Sequence, residues 1–211
     1  MVSAGWEAIK LPGLTKVLVA LFIFPLIGFA SGFIFTRLIY FLAQHATPRI
    51  NDFFKRSQLV TAIILGLSHG TNDAQKSMGI IVLGLVISGR LQSFEVPLWV
   101  TVASAASMAI GTSLAGWKII RTLGGKFYKI RPLHSFATQL TSGIVILSAS
   151  FFGAPVSTSH VVSSAIIGVG ASERLSKVRW SVAGDILTAW LITIPVSAAF
   201  AAGFYWLLTS L

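Results

Sequence analysis

The chain has 211 residues, of which 55% are hydrophobic and only 10% charged, with no cysteine, a net charge of +10 and a mean hydropathy of +0.83. A soluble domain carries roughly 25% charged residues, so the composition excludes a water-soluble core and points to an integral membrane protein. The missing cysteines exclude a disulfide framework, a thiolate metal site and a Cys nucleophile, and in a membrane chain the positive balance belongs to basic cytoplasmic loops rather than to nucleic acid.

Apolar segments run over Val17–Leu42, Leu59–Ser88, Pro97–Ile120, Phe136–Phe152, Pro155–Gly170 and Val182–Leu211. A helix needs about 20 residues to span a bilayer. The first, third and last segments meet that need simply, and the first is too long for the apolar part of a cleavable signal peptide. The first also carries Gly28 and Gly32 at small-xxx-small spacing, a face for close helix packing within the chain or between copies. The second, Leu59–Ser88, is over-long and interrupted by the polar stretch LSHGTNDAQKSMG, Leu67–Gly79. In the third, Trp99 and Trp117 stand about 27 Å apart along a helix, which suits two aromatic belts at the membrane faces. The fourth and fifth are short, and Gly153-Ala154-Pro155 joins them. Together they predict a re-entrant helical hairpin over 136–170, entering and leaving on one side.

Basic residues concentrate in Ala43–Arg56, Lys118–Arg131 and Ser172–Trp180, whereas Gly89–Val96 balances Arg90 against Glu95. The three basic segments are therefore expected on the cytoplasmic side, which sends both termini outside. The expected architecture is an all-α, multi-pass transmembrane helix bundle forming one domain over 1–211, in the plasma or inner membrane.

Two polar stretches interrupt this apolar plan. In the first, Gly66, Gly70, Asn72 and Asp73 are weak helix formers that favour caps and turns. They predict a discontinuous helix over 59–88, one half ending near Ser68–Gly70 and the next starting near Asn72 or Asp73. The exposed carbonyls and N–H groups of such a break serve ions. The second stretch is GAPVSTSHVVSS, Gly153–Ser164. Pro155 suits the first position of a helix. Ser157, Thr158 and Ser159 then place three hydroxyls beside unpaired N–H groups, an arrangement that binds phosphate. Thr71 is placed with these hydroxyls. Asn72, Asp73 and Gln75 are the candidates for a coupling cation, Na+ or H+, because an intramembrane acid is costly and usually functional.

The motifs GTNDAQKSMGI (Gly70–Ile80) and PVSTSH (Pro155–His160) resemble the C-terminal signatures of the inorganic phosphate transporter (Pit) family, and the resemblance extends over essentially the whole chain, including VPLWVTVA, GWKIIRTLG and GVGASERLSKVRW. That family has two inverted repeats, each with an Asn-Asp motif and a Pro-Val-Ser-Thr motif. It moves phosphate with Na+, or with H+ and often as a neutral metal–phosphate complex, and its termini face outward. This chain holds one copy of each motif and looks like the second repeat. The resemblance thus implies that a partner chain or a first repeat supplies the remaining ligands, in a monomeric or oligomeric assembly. Where many repeats read Gly-Ala-Asn-Asp-Val-Ala-Asn, the chain has Ala74-Gln75-Lys76 after its Asn-Asp pair.

Plainer roles stand beside these. Asp73 can pair with Lys76 three positions on, and Lys76 either attracts the anion or neutralises that acid. Gln75 can bond between helices instead of to an ion. The three hydroxyls can bond back to their own helix. His69 and His160, flanking the motifs, are proton-relay candidates or packed core histidines, and His134 needs no special role. Asp185 is read as interfacial. No resident cofactor or bound metal is expected. Secondary transport of phosphate is the leading function, and a non-transporting accessory half is the alternative. An intramembrane hydrolase built on Ser157, His160 and Asp73 has no nucleophile motif to support it.

Overall fold

The computed structural model describes residues 10–125 and 130–209. Among them the chain forms six α-helices: α1 Leu11–Leu42, α2 Ile50–Ile87, α3 Leu98–Gly125, α4 Pro132–Phe151, α5 Thr158–Glu173 and α6 Trp180–Thr209. Each apolar segment of the sequence yields one of them. α1 and α6 are long and apolar enough to cross a membrane.

The core is built on α5. Most of its residues are buried, from Thr158 and His160 through Ser172. It lies along α1 with backbone nearly touching backbone. A Cβ on Gly28 would stand 2.9 Å from the Val161 carbonyl oxygen, and one on Gly32 would stand 2.7 Å from that of Ala165. From the other side, a Cβ on Gly168 would strike the Phe29 carbonyl. The small-residue face is therefore used inside the chain. α4 closes the hairpin and packs on α2 through Thr61 Oγ1, which donates to Gln139 Oε1 at 2.7 Å. Apolar clusters fill the space between them, one around Ile39, Phe54, Ala137, Ile166 and Val169, another around Val145, Ile146, Ala149, Val156 and Val161.

α3 and α6 are peripheral, α6 reaching the core through Val182, Ile186 and the Trp190 ring. α3 packs on α2 alone with any substance, and Trp99 and Trp117, five helical turns apart and so on one face, are both exposed. On α6 only Ala183 is buried, and Asp185 is exposed.

Three expectations need correction. α2 is one unbroken helix of 38 residues, with no interruption between Ser68 and Asp73. His69, Asn72, Asp73 and Lys76 find partners beyond their own helix, and the backbone keeps its i→i−4 bonds, which are hard to replace at membrane depth. Second, the basic segments are partly helical: Ile50–Arg56 belongs to α2 and Lys118–Gly125 to α3. Lys126 and Lys129 of the second basic segment lie outside the described residues. Third, Pro155 does not open α5, which starts at Thr158 with Ser157 as N-cap. Pro155 holds the preceding turn extended instead.

At one end of the bundle His134, fully buried, ties three elements together. Its Nδ1 accepts the Arg131 backbone N–H at 3.2 Å, so Nε2 carries the proton of the neutral ring and donates to Tyr40 Oη at 2.9 Å. Glu173 at the end of α5 lies 3.9 Å from the same nitrogen and 3.7 Å from Arg131 Nη1.

Candidate functional site

The site is made by the middle of α2 and the turn between α4 and α5. That turn has a specific construction. α4 ends in a Schellman motif: Ala154 N–H donates to Ala149 O at 2.9 Å and Gly153 N–H to Ser150 O at 3.1 Å. The motif requires a left-handed residue after the cap, and Gly153 supplies it at φ +59°. Lys16 of α1 donates to the Gly153 carbonyl at 3.2 Å. Extended backbone then carries the chain through Val156 to Ser157, whose φ of −91° and ψ of 110° place it at the α5 N-cap. The Ser157 side chain does not cap the helix; its Oγ lies 3.2 Å from Ser159 Oγ. The first-turn N–H groups of α5 therefore have no side-chain acceptor from their own cap, and two hydroxyls stand beside them.

α2 meets this turn with one face. His69, Asn72, Asp73 and Lys76 follow helical spacing and line a single stripe. Asp73 is its centre. Its Oδ1 accepts Lys76 Nζ at 2.9 Å and Asn72 Nδ2 at 3.4 Å. Its Oδ2 accepts Thr158 Oγ1 at 3.0 Å and lies 3.0 Å from His69 Nε2. Thr158, the first residue of α5, is 3% exposed, so the α5 side of this part-buried contact is covered by protein. The Val156 carbonyl, in the non-helical turn, accepts Lys76 Nζ at 2.8 Å and Asn72 Nδ2 at 3.3 Å. Ser150 Oγ donates to Asn72 Oδ1 at 3.4 Å, completing the link to α4. Asp73 is partly buried, and a carboxylate withdrawn from water is tolerated only when paired and hydrogen-bonded; each Asp73 oxygen has two partners.

Of the residues singled out in the sequence, His69, Asn72, Asp73, Lys76 and Thr158 come together directly. Ser157 and Ser159 stand at the neighbouring helix N-terminus. Thr71 and Gln75 do not join them: each lies about 160° around α2 from Asp73, exposed on the opposite face. His160 is also apart, its ring stacked on Trp190 of α6 at 3.8 Å and its buried Nδ1 without a hydrogen-bond partner among the described residues. Ser157, His160 and Asp73 thus form no nucleophile relay. Sequence reading missed Ser150, Gln139 and the Val156 carbonyl. The Ser150 hydroxyl, just ahead of the Gly-Ala-Pro turn, and the Gln139 amide, inside an apolar segment, offered a signal; a carbonyl has none.

The phosphate transporter family model matches residues 41–201 of this chain. Over 208 residues the chain is 42% identical to a probable low-affinity inorganic phosphate transporter of Bacillus subtilis, covering 98% of this chain and 62% of that one. It is 40% identical over 204 residues to a protein of the same description in Rhizobium meliloti, covering 96% and 61%. A putative phosphate permease of Thermococcus kodakarensis is 28% identical over 184 residues, covering 83% and 45%. The chain therefore spans about half to three fifths of the length of these curated relatives. Among solved structures, a sodium-dependent phosphate transporter superposes with a TM-score of 0.89 at 20% identity, covering 99% of this chain and 70% of that one. At that identity the likeness concerns the fold.

Proposed function

The chain belongs to the phosphate transporter family, membrane carriers rather than enzymes, and from that premise we propose that it forms one half of a secondary transport site for inorganic phosphate. Its α4–α5 hairpin is re-entrant, entering and leaving the membrane on the cytoplasmic side. The basic segments are cytoplasmic and both termini lie outside. Phosphate oxygens bind at the α5 N-terminus, where N–H groups, the helix dipole and the Ser157 and Ser159 hydroxyls converge. Asn72 and Asp73 supply a countercharge beside the anion, and transport is coupled to a cation, Na+ or H+, with phosphate moving alone or as a metal complex. Thr71 and Gln75, on the far face of α2, address the complementary half.

One observation carries this reading: Thr158 Oγ1 donates to Asp73 Oδ2 at 3.0 Å. The hydroxyl-bearing helix N-terminus and the intramembrane acid, 85 residues apart in sequence, are one site rather than two. Alternating access in inverted-repeat carriers rocks paired repeats around a shared site, so this half works with a complementary repeat. The experiment is reconstitution in liposomes with labelled phosphate and an imposed Na+ or H+ gradient. The chain alone gives no gradient-driven uptake, and the chain with the complementary repeat does. Asp73→Asn in the pair abolishes uptake while the protein still inserts. Near-normal uptake by a well-folded Asp73→Asn pair would reduce Asp73 to a structural acid, and robust uptake by the single chain would end the half-site reading.

A further inference from the structure

Lys76 occupies an unusual position for a helix-surface lysine. A simple i,i+3 pair would satisfy Asp73 and leave the rest of the ammonium to solvent. Here Nζ lies between two oxygens, 2.9 Å from Asp73 Oδ1 and 2.8 Å from the carbonyl of Val156, a residue 80 positions away in the turn. A carboxylate on one helix and a backbone carbonyl from an adjoining non-helical segment are the ligands that membrane carriers use for monovalent cations. An ammonium is itself a compact monovalent cation whose donors point at acceptors much as a metal ion attracts them. Asn72, which also reaches both oxygens, frames the same position. The 2.8 and 2.9 Å contacts leave no second cation place between these two oxygens. A Na+ held about 4 Å from the ammonium would meet a repulsion that lowers its affinity by far more than tenfold at an effective dielectric constant of about 20.

We infer that Lys76 is a tethered cation that fills the monovalent-cation position of this half-site, so that this half binds no Na+. The inference rests on the reading of the Asp73 cluster as half of a transport site. A cation carried on the protein is never released. The transport cycle therefore moves one Na+ fewer than it would with a neutral residue at position 76, and any mobile coupling ion is held elsewhere. Lys76 is a determinant of ion selectivity rather than a phosphate ligand.

The test measures binding of 22Na+ to the purified chain in lipid nanodiscs, with choline chloride keeping ionic strength constant. The wild-type chain shows no saturable 22Na+ binding, and its melting temperature is the same in NaCl and choline chloride. Lys76→Asn and Lys76→Ala gain saturable 22Na+ binding, at least about tenfold above wild type, and melt higher in NaCl than in choline chloride. Adding Asp73→Asn to either removes the gain. Lys76→Arg, still cationic, stays without it. Saturable wild-type binding that Asp73→Asn eliminates would overturn the inference, as would a folded, monodisperse Lys76→Asn or Lys76→Ala chain that gains nothing. If both neutral variants fail to fold, the wild-type measurement decides alone, binding refuting the inference and its absence upholding it. None of these readouts uses phosphate, so a failure here leaves the uptake result standing, and a failure of uptake leaves this one readable.

Discussion

Thr158→Val separates building the site from using it. The substitution keeps the shape of a side chain that is 3% exposed and replaces only its hydroxyl. The main bond lost is the 3.0 Å donation to Asp73 Oδ2, with a longer 3.4 Å contact to His69 Nε2 lost beside it. Hydrogen bonds to charged groups contribute about 1.5–3 kcal/mol. The lower end applies, because Oδ2 retains His69 Nε2 at 3.0 Å and is not left unpaired. At about 2–4 °C per kcal/mol for a chain of this size, a loss of about 1.5 kcal/mol lowers the melting temperature by about 3–6 °C. Ser159→Ala is the comparison. Ser159 is exposed and, among the described residues, its hydroxyl bonds only Ser157, so stability changes by less than about 0.5 kcal/mol. In phosphate uptake by the reconstituted pair, however, Ser159→Ala lowers the rate, because it removes a donor at the α5 N-terminus. The assays are thermal unfolding in detergent, followed by loss of the monodisperse peak, and initial uptake rates in liposomes. Equal melting temperatures for Thr158→Val and Ser159→Ala would refute the argument that the Asp73–Thr158 contact holds the two motifs together.

Two further outcomes follow from the geometry. His134→Leu removes the group that serves Tyr40, the Arg131 backbone and Glu173 at once. Stranding buried polar partners lowers stability by about 2–3 kcal/mol, read as a fall in melting temperature, and a loss below about 0.5 kcal/mol would show that the cluster is not structural. For topology, a cysteine replacing Ser176 in this cysteine-free chain is protected from an impermeant maleimide in intact cells and labelled after permeabilisation; labelling from outside would invert the proposed orientation.

The helices were legible because each apolar segment is long or polar-bounded enough to stand out, and both chemical motifs were legible because their residue types are costly in a membrane. The break in α2 was misread for a definite reason. Gly66, Gly70, Asn72 and Asp73 were weighed by propensity, a weak local preference that tertiary partners override. Their spacing carried the better signal: His69, Asn72, Asp73 and Lys76 share one face of an intact helix, which also turns Thr71 and Gln75 away. The start of α5 was misplaced because Pro155 fits a first helical position on local grounds, whereas the Val156 carbonyl is held outside the helix by Asn72 and Lys76. His134 drew no special role because its partners, Tyr40 and Glu173, are far away in sequence.

The crossing of α1 on α5 bears on how sequence variation in such chains should be interpreted. At Gly28, Gly32 and Gly168 the opposing atoms are backbone carbonyls, which no rotamer change can move aside. Alanine, the smallest change available, is already too large at each. Neighbouring positions on α1 that face outward, such as Leu26 at 68% exposed and Ile34 at 64%, accept any apolar side chain of roughly similar size. Across diverging sequences the three glycines would thus stay fixed while their surroundings drift. At these positions invariance records steric exclusion between two main chains and says nothing about contact with phosphate or an ion.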